Sequence, residues 1–442
     1  MVYDIIIGRD EADKKKFGDK GVALIGKTYV KMGQFTSLSN NLFLDVARSH
    51  VILIGGKRGS GKSYFLGVIA EGIANLEKDV AKNISVLIFD TMGIFWSMKY
   101  PNKAEEDLLK EYGLSPTGLN VNVYVPKGKF KQMKEKGIPV DYNFTIKTSE
   151  LSAEDWLSVF NLEILHPVGI LIERVLEDLD NKEDYDIEDI LKEIKKDGRS
   201  EKSVRDAAEN RFLAAKSWGL FEKDGTKIKD MLKGSKVSIL DISSYDDWNI
   251  RSLVVSLLCK KLFRERMLFR KFEELNDIEA GQHYFDFEEK KMEMPLVWLF
   301  LDEAHEFLPK NRKTPATDAL VQLLREGRQP GISLVLATQQ PGQIHMDVMT
   351  QSDIVVSFRV TAKFDVDALN VIMQTYLNSD ILGYLNNLPK LKGSAIILDD
   401  NSERIYPMRV RPKMSWHGGS APSSVRVREK EALDLKLDEY NI

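Results

Sequence analysis

The stretch His50–Glu71 reads HVILIGGKRGSGKSYFLGVIAE. Val51–Ile54 is apolar and β-branched, the composition of a buried strand, and from Ser63 onward apolar and polar residues alternate at helical spacing. The loop between them, Gly56–Ser63, fits G-x-x-x-x-G-K-[ST] at each fixed position, with Gly55 and Gly59 adding backbone freedom. Glycines let successive N–H groups turn inward around an anion, and the helix N-terminus adds its positive dipole end. The spacing therefore predicts a phosphate loop of Gly56, Lys57, Arg58, Gly59, Ser60, Gly61, Lys62 and Ser63, with Tyr64 in the first helical turn. Lys62 is expected to reach the β- and γ-phosphates of ATP, and the Ser63 hydroxyl to hold Mg²⁺.

A second apolar strand is expected at Val86–Asp90, which sets Asp90 at the carboxyl edge of a sheet and near the nucleotide. Further on, Leu296–Leu301 is wholly apolar and runs into Asp302, Glu303, Ala304 and His305. An acid pair at the end of a buried strand, downstream of a phosphate loop, suits a Mg²⁺-binding Asp302 and a water-polarising Glu303. Ser333–Ala337 is another buried strand, ending in Thr338, Gln339 and Gln340. Gln339 is the candidate to sense the γ-phosphate or hold the attacking water.

Alternating strand and helix patterns make the chain α/β. Residues 1–48 form a short β-rich segment, with runs at Tyr3–Ile7, Val22–Val30 and Asn41–Val46 separated by RDEADKKKF and SLSNN. Residues 49–150 are the first part of the core, including a strand at Val121–Val125; the following KGKFKQMKEK reads as a solvated loop. Residues 151–235 turn helical, with Ser152 as a start signal, Pro167 opening a helix and Gly198 and Gly219 as stops: an inserted four-helix lid. Residues 236–408 are the second part of the core, with strands at Val237–Ile242, Ile354–Val360 and Ser394–Leu398 and a long helix over Trp248–Phe272. Residues 273–294 read as an acidic surface excursion, and 409–442 as an extended arm leading to a short charged helix.

At 442 residues the chain can bury a full core, and its net charge of −4 excludes a protein coated in basic residues without excluding a local basic channel. No run approaches the roughly 18 uncharged apolar residues of a membrane span. The single cysteine, Cys259, lies in an apolar helical run and reads as core. With no export signal at the start, a reducing cytoplasm is the expected location.

The phosphate loop, LFLDEAHEFLP, REGRQPGISLVLATQQP and the RVRP–S–HGG pattern together resemble the HerA/FtsK superfamily of ring ATPases, and within it the archaeal HerA-like proteins. The resemblance covers about Gly21 to Gly419 and implies a RecA-like P-loop core, a homo-hexameric ring and ATP-driven movement along double-stranded DNA, often beside a nuclease such as NurA. A ring motor needs a charge supplied by the neighbouring subunit, for which Arg328 is the first candidate and Arg325 the second. Lys310, Arg312 and Lys313 leave the acid-bearing strand directly and are the expected DNA contacts; Lys127–Lys136 is a second candidate. The chain departs from the family twice. Residues 1–48 are shorter than a complete small β-barrel, and the family's Asp-x-x-Gly-Glu reads Asp90–Ile94 here. A packaging or secretion motor of the same fold, and a nucleotide-gated ATPase regulating an associated effector, are the alternatives.

Overall fold

The computed structural model describes residues 4–32, 35–179, 182, 184–282, 294–360, 362–373 and 381–419. Its strands are β1 (Ile5–Ile7), β2 (Val22–Met32), β3 (Phe35–Asp45), β4 (Val51–Gly55), β5 (Ile84–Asp90), β6 (Val121–Pro126), β7 (Tyr142–Phe144), β8 (Ile146–Lys147), β9 (Phe221–Glu222), β10 (Val237–Asp241), β11 (Leu296–Leu301), β12 (Ile332–Thr338), β13 (Ile354–Phe358), β14 (Ser394–Asp399) and β15 (Arg404–Val410). All but β8 and β9 join one sheet, in the order β1-β3-β2-β15-β14-β13-β4-β12-β11-β5-β10-β6-β7. From β13 to β7 every pairing is parallel.

Parallel strands covered on both faces must be apolar throughout, and β5 and β12 are buried at each position. Alternate side chains feed two cores. On one face Ile52, Ile54, Ile88 and Phe300 meet Phe65, Leu66 and Ile69 of the phosphate-loop helix Lys62–Ala74. On the other Leu53, Leu87, Leu299 and Leu334 meet Leu253, Val254 and Leu258 of the long helix Trp248–Gln282. Each such side chain contributes roughly 1.5–3 kcal/mol by burial.

The edges of the core differ from the sequence expectations. RDEADKKKF contains the helix Glu11–Phe17, because the Asp10 carboxylate accepts from the Asp13 N–H and the basic residues fall in the last turn. SLSNN lies within β3, which pairs with β2 through two register shifts. The N-terminal strands continue the main sheet, β2 pairing with β15. KGKFKQMKEK forms the helix Lys127–Glu135. The long helix runs on to Gln282, so only 283–294 of the expected acidic excursion remain; 283–293 lie outside the described residues, and Met294 is buried.

The four helices expected after Ser152 are Ala153–Phe160, Pro167–Leu179, Ile187–Lys196 and Lys202–Ser217. Ser152 and Asp155 form a reciprocal capping box. Trp156 is buried among Phe160, Phe212 and Phe221 at the centre of this unit. Ion pairs Lys260–Asp155 (2.7 Å) and Lys261–Glu150 (2.8 Å) tie it to the long helix.

Two buried polar networks clamp the strand that carries the phosphate loop. His50, just before β4, is 2.6 Å from Asp353 and 3.1 Å from Asp45, and Arg9 Nε donates to Asp45 at 2.9 Å. Burial opposes a charge on His50, but the hydrogen bonds and charges of Asp353 and Asp45 prevail and raise its pKa to about 9. At the far end of the loop helix, buried Glu71 accepts from Arg411 Nη1 (3.0 Å), the Met414 N–H (3.0 Å) and the Ser415 N–H (2.8 Å). The segment 411–419 is thereby laid along the helix that starts at the phosphate loop; residues 420–442 of the expected arm lie outside the described residues.

Candidate active site

The phosphate loop sits where β4 ends. Its first N–H groups are taken by the flanking strands: Gly56 donates to the Thr338 carbonyl (3.3 Å) and Lys57 to the Arg359 carbonyl (3.4 Å). Gly59 and Gly61 have φ of 75° and 112°, a backbone that L side chains rarely adopt. At Gly56 a Cβ would lie 2.7 Å from the Phe358 Cβ, so the buried Phe358 fixes the floor of the loop. Lys57, Arg58 and Gly59 are exposed, Ser60 is half-buried, and Lys62 is buried at 5% exposure with its ammonium donating to the Lys57 carbonyl at 3.2 Å. Burial lowers the Lys62 pKa, opposed by the charges of Glu303 and Asp302. The loop thus holds a desolvated cation waiting for an anion. Tyr64 turns its side chain away, its hydroxyl donating to Glu105 (2.6 Å) and accepting from the Lys413 N–H (2.6 Å), so only its backbone is left for phosphate.

Strand order brings the acids in. β12 lies between β4 and β11, which separates the loop strand from the acid strand by about 10 Å at two strand spacings. The Ser63 hydroxyl donates to the Asp302 carboxylate in a short contact. Asp302 also accepts from the Glu303 N–H at 2.9 Å. Burial raises the Asp302 pKa against the pull of Ser63, that backbone N–H and Lys62. A hydroxyl and a largely buried carboxylate side by side are oxygen donors of the kind a hard divalent cation accepts.

Glu303 has φ 52° and ψ 43°, a left-handed conformation unusual outside glycine, asparagine and aspartate. The strained turn aims its carboxylate back over the sheet edge, where the Gln339 amide at the end of β12 donates to Oε1 in a short contact. Glu303 Oε2 is buried and has no hydrogen-bond partner. Burial and then the neighbouring Asp302 raise the Glu303 pKa, the environment of a carboxylate able to take a proton.

Other expected residues are placed elsewhere. Asp90 is three strands from β4, and its carboxylate accepts from the N–H groups of Met92, Gly93 and Phe95, so it builds a turn and does not reach the nucleotide site. It pairs in register with Asp241 of β10, and burial with that second charge raises its pKa. Arg325 is bound to Asp347 by two contacts of 2.8 and 3.1 Å. Arg328 is exposed and, among the described residues, makes no ion pair; it lies before β12, at the opposite end of that strand from Gln339. Lys313 is paired with Asp318 (2.9 Å), Arg312 lies 3.5 Å from Glu306, and Lys310 stands 5.9 Å from the centre of the Phe364 ring. The lysine-rich helix starts at the end of β6, which is three strands beyond β11.

Two contributors escaped the sequence reading. His305 Nδ1 is 3.2 Å from the Thr338 hydroxyl, inside the site; the D-E-A-H run was the available signal. Arg359 backs the loop through its carbonyl, and nothing local in FRV marks it.

The parallel sheet, the phosphate loop and an acid strand set one strand aside define a P-loop NTPase of RecA-like architecture. The chain belongs to the family described as helicase HerA, central domain, whose model matches residues 30–262. A model described as zonular occludens toxin matches residues 296–368. A probable helicase of Methanocaldococcus jannaschii is 22% identical over 419 residues, covering 89% of this chain and 71% of that one. The DNA double-strand break repair helicase HerA of Pyrococcus furiosus is 23% identical over 176 residues, covering 38% of this chain and only 31% of that protein. Among solved structures, VirB4 of Thermoanaerobacter pseudethanolicus aligns at 10% identity with a TM-score of 0.49, covering 91% of this chain and 97% of that one. No described helix is long and apolar enough to cross a membrane.

Proposed function

We propose that this ATPase works as a homo-hexameric ring that couples ATP hydrolysis to movement along double-stranded DNA, with a NurA-like nuclease as its processing partner. The observation that carries the reading is the half-buried, left-handed Glu303, oriented by Gln339 and set beside the Ser63–Asp302 contact. A protein that merely binds nucleotide has no use for a strained, desolvated carboxylate at that point. Family membership and the named repair helicases among its relatives supply the DNA part of the proposal.

In this mechanism Lys62 and the loop N–H groups hold the phosphates, and Ser63 with Asp302 would hold a Mg²⁺ ion, which would supply positive charge to offset that of the phosphates. Glu303 polarises the attacking water while Gln339 keeps its carboxylate aimed. Arg328 serves the neighbouring subunit's site, since its own site lies at the other end of β12. Lys310, Arg312 and Lys313 contact DNA phosphates; Glu306 holds Arg312 and Asp318 holds Lys313 until a stronger polyanion competes.

The test is ATP turnover measured with duplex DNA, single-stranded DNA and none. Duplex-dependent stimulation is expected. Turnover indifferent to DNA would replace the motor with a nucleotide-gated regulator or a motor for another polymer.

A further inference from the structure

We propose that the outer half of the long helix, from Arg264 to Glu279, is a contact surface for a second copy of this chain, which packs on it in the antiparallel sense. The surface lies outside the nucleotide site and does not depend on the chemistry assigned to Glu303.

Arg266 is the last fully buried residue of this stretch: its Nε donates to the Pro330 carbonyl (2.7 Å) and its Nη1 to the Met294 carbonyl (2.8 Å). From Met267 to Glu279 no residue is buried. On the face that continues from Arg266, charged side chains follow at helical spacing and pair with one another, Arg266 with Glu273 (3.0 Å) and Arg270 with both Glu273 (3.6 Å) and Asp277 (3.8 Å). The opposite face, about 200° round the helix, carries Leu268, Phe272, Leu275 and Ile278, each more than half exposed. A helix at a protein surface ordinarily turns its apolar stripe inward and its charges outward. Here the order is inverted, and a contiguous apolar stripe facing solvent marks a contact.

Charge selects the occupant. Arg264 and Lys271 flank the first half of the stripe and Glu274 and Glu279 the second; all four are exposed, and among the described residues none of them makes an ion pair. A second copy turned end for end lays Leu268 against Ile278 and Phe272 against Leu275, and its acids against the first copy's cations. A parallel copy would set like charges together. The contact is about 22 Å long and isologous, so it closes on a twofold axis. Subunits around a ring meet through a heterologous contact instead. The two are therefore compatible, and in the ring proposed above these helices join one ring to a second.

The experiment measures particle mass by sedimentation velocity on the full chain at low ionic strength. Phe272→Asp, at an exposed position beyond the core, should halve the mass of the unaltered protein. Arg264→Glu with Lys271→Glu leaves only acids beside the stripe and should halve it too. Adding Glu274→Lys and Glu279→Lys to that pair restores opposite charges end to end and should restore the full mass, a rescue that a partner of fixed charge cannot give. The sense of packing is read with a short bis-maleimide: Leu268→Cys and Ile278→Cys chains should cross-link at least fivefold more when mixed than either does alone, Cys259 being buried. A mass unchanged by Phe272→Asp overturns the proposal and leaves the stripe to residues 283–293 or 420–442 of its own chain or to another protein. Collapse to single chains overturns it by giving the stripe to the ring contact, as does a fourfold swap that fails to restore the mass or a cross-link stronger in the separate chains. The readout is a twofold ratio that holds for any subunit number, and ATP turnover with and without DNA decides the motor reading separately.

Discussion

Glu303→Gln keeps the shape of the side chain and removes only its charge. The amide oxygen can still accept from Gln339, so the short contact at Oε1 survives, and the new NH₂ replaces an oxygen that is buried and unpartnered. Nucleotide affinity should therefore change by less than threefold, about 0.65 kcal/mol. Turnover should fall by roughly 10²–10⁴, the usual contribution of a positioned base, or about 2.7–5.4 kcal/mol of barrier. The folded protein should be no less stable, because a like charge beside Asp302 disappears. Wild-type turnover should also decline on the acid side at a pH above the ordinary carboxylate range, since Glu303 must be ionised to work and its pKa is raised by burial and Asp302. Phosphate release across pH, fluorescent-nucleotide titration and thermal melts measure the three effects. Wild-type turnover in the Gln variant would refute the assignment. A parallel loss of binding and turnover would show that the residue supports the site's shape and not its chemistry.

Mixing Arg328→Ala with Lys62→Ala subunits should restore ATPase activity beyond the sum of the two separate residual activities, because a mixed ring contains intact interfaces; additive activities would remove the role in trans. Replacing Lys310, Arg312 and Lys313 together by Ala should lower the log–log salt slope of duplex binding by up to about 0.9 per lost phosphate contact, with basal turnover intact. An unchanged slope in fluorescence anisotropy would take the loop out of the interface. His50 has a folded pKa of about 9 against about 6.5 unfolded, so its stabilisation is full below pH 6.5 and is lost as pH rises through 9. Denaturant titrations at pH 6.5 and 9.5 should show a loss on the order of 3 kcal/mol that His50→Gln lacks; identical pH profiles for the two proteins would contradict it.

The sequence by itself determined the phosphate loop, the acid pair Asp302–Glu303 and most core strands, because each is written in residues a few positions apart. Glycine spacing sets a backbone, and a short unbroken apolar run bounded by turn residues fits a covered strand. The capping box at Ser152 and the proline at the start of Pro167–Leu179 were legible for the same reason. Where short-range signals compete, the reading failed: the charged run at 11–17 forms a helix capped by the Asp10 side chain, and that at 127–135 forms one whose Phe130 and Met133 pack against the core. Only the tertiary structure decided which strands are neighbours. Apolar strands are interchangeable to a local reading, yet setting β12 between β4 and β11 is what delivers Gln339 to Glu303 and leaves Asp90 outside the site. The same holds for the Glu71–Arg411 pair, 340 residues apart, and for His50 with Asp353: their meeting depends on how the whole sheet is ordered, which no stretch of the chain contains.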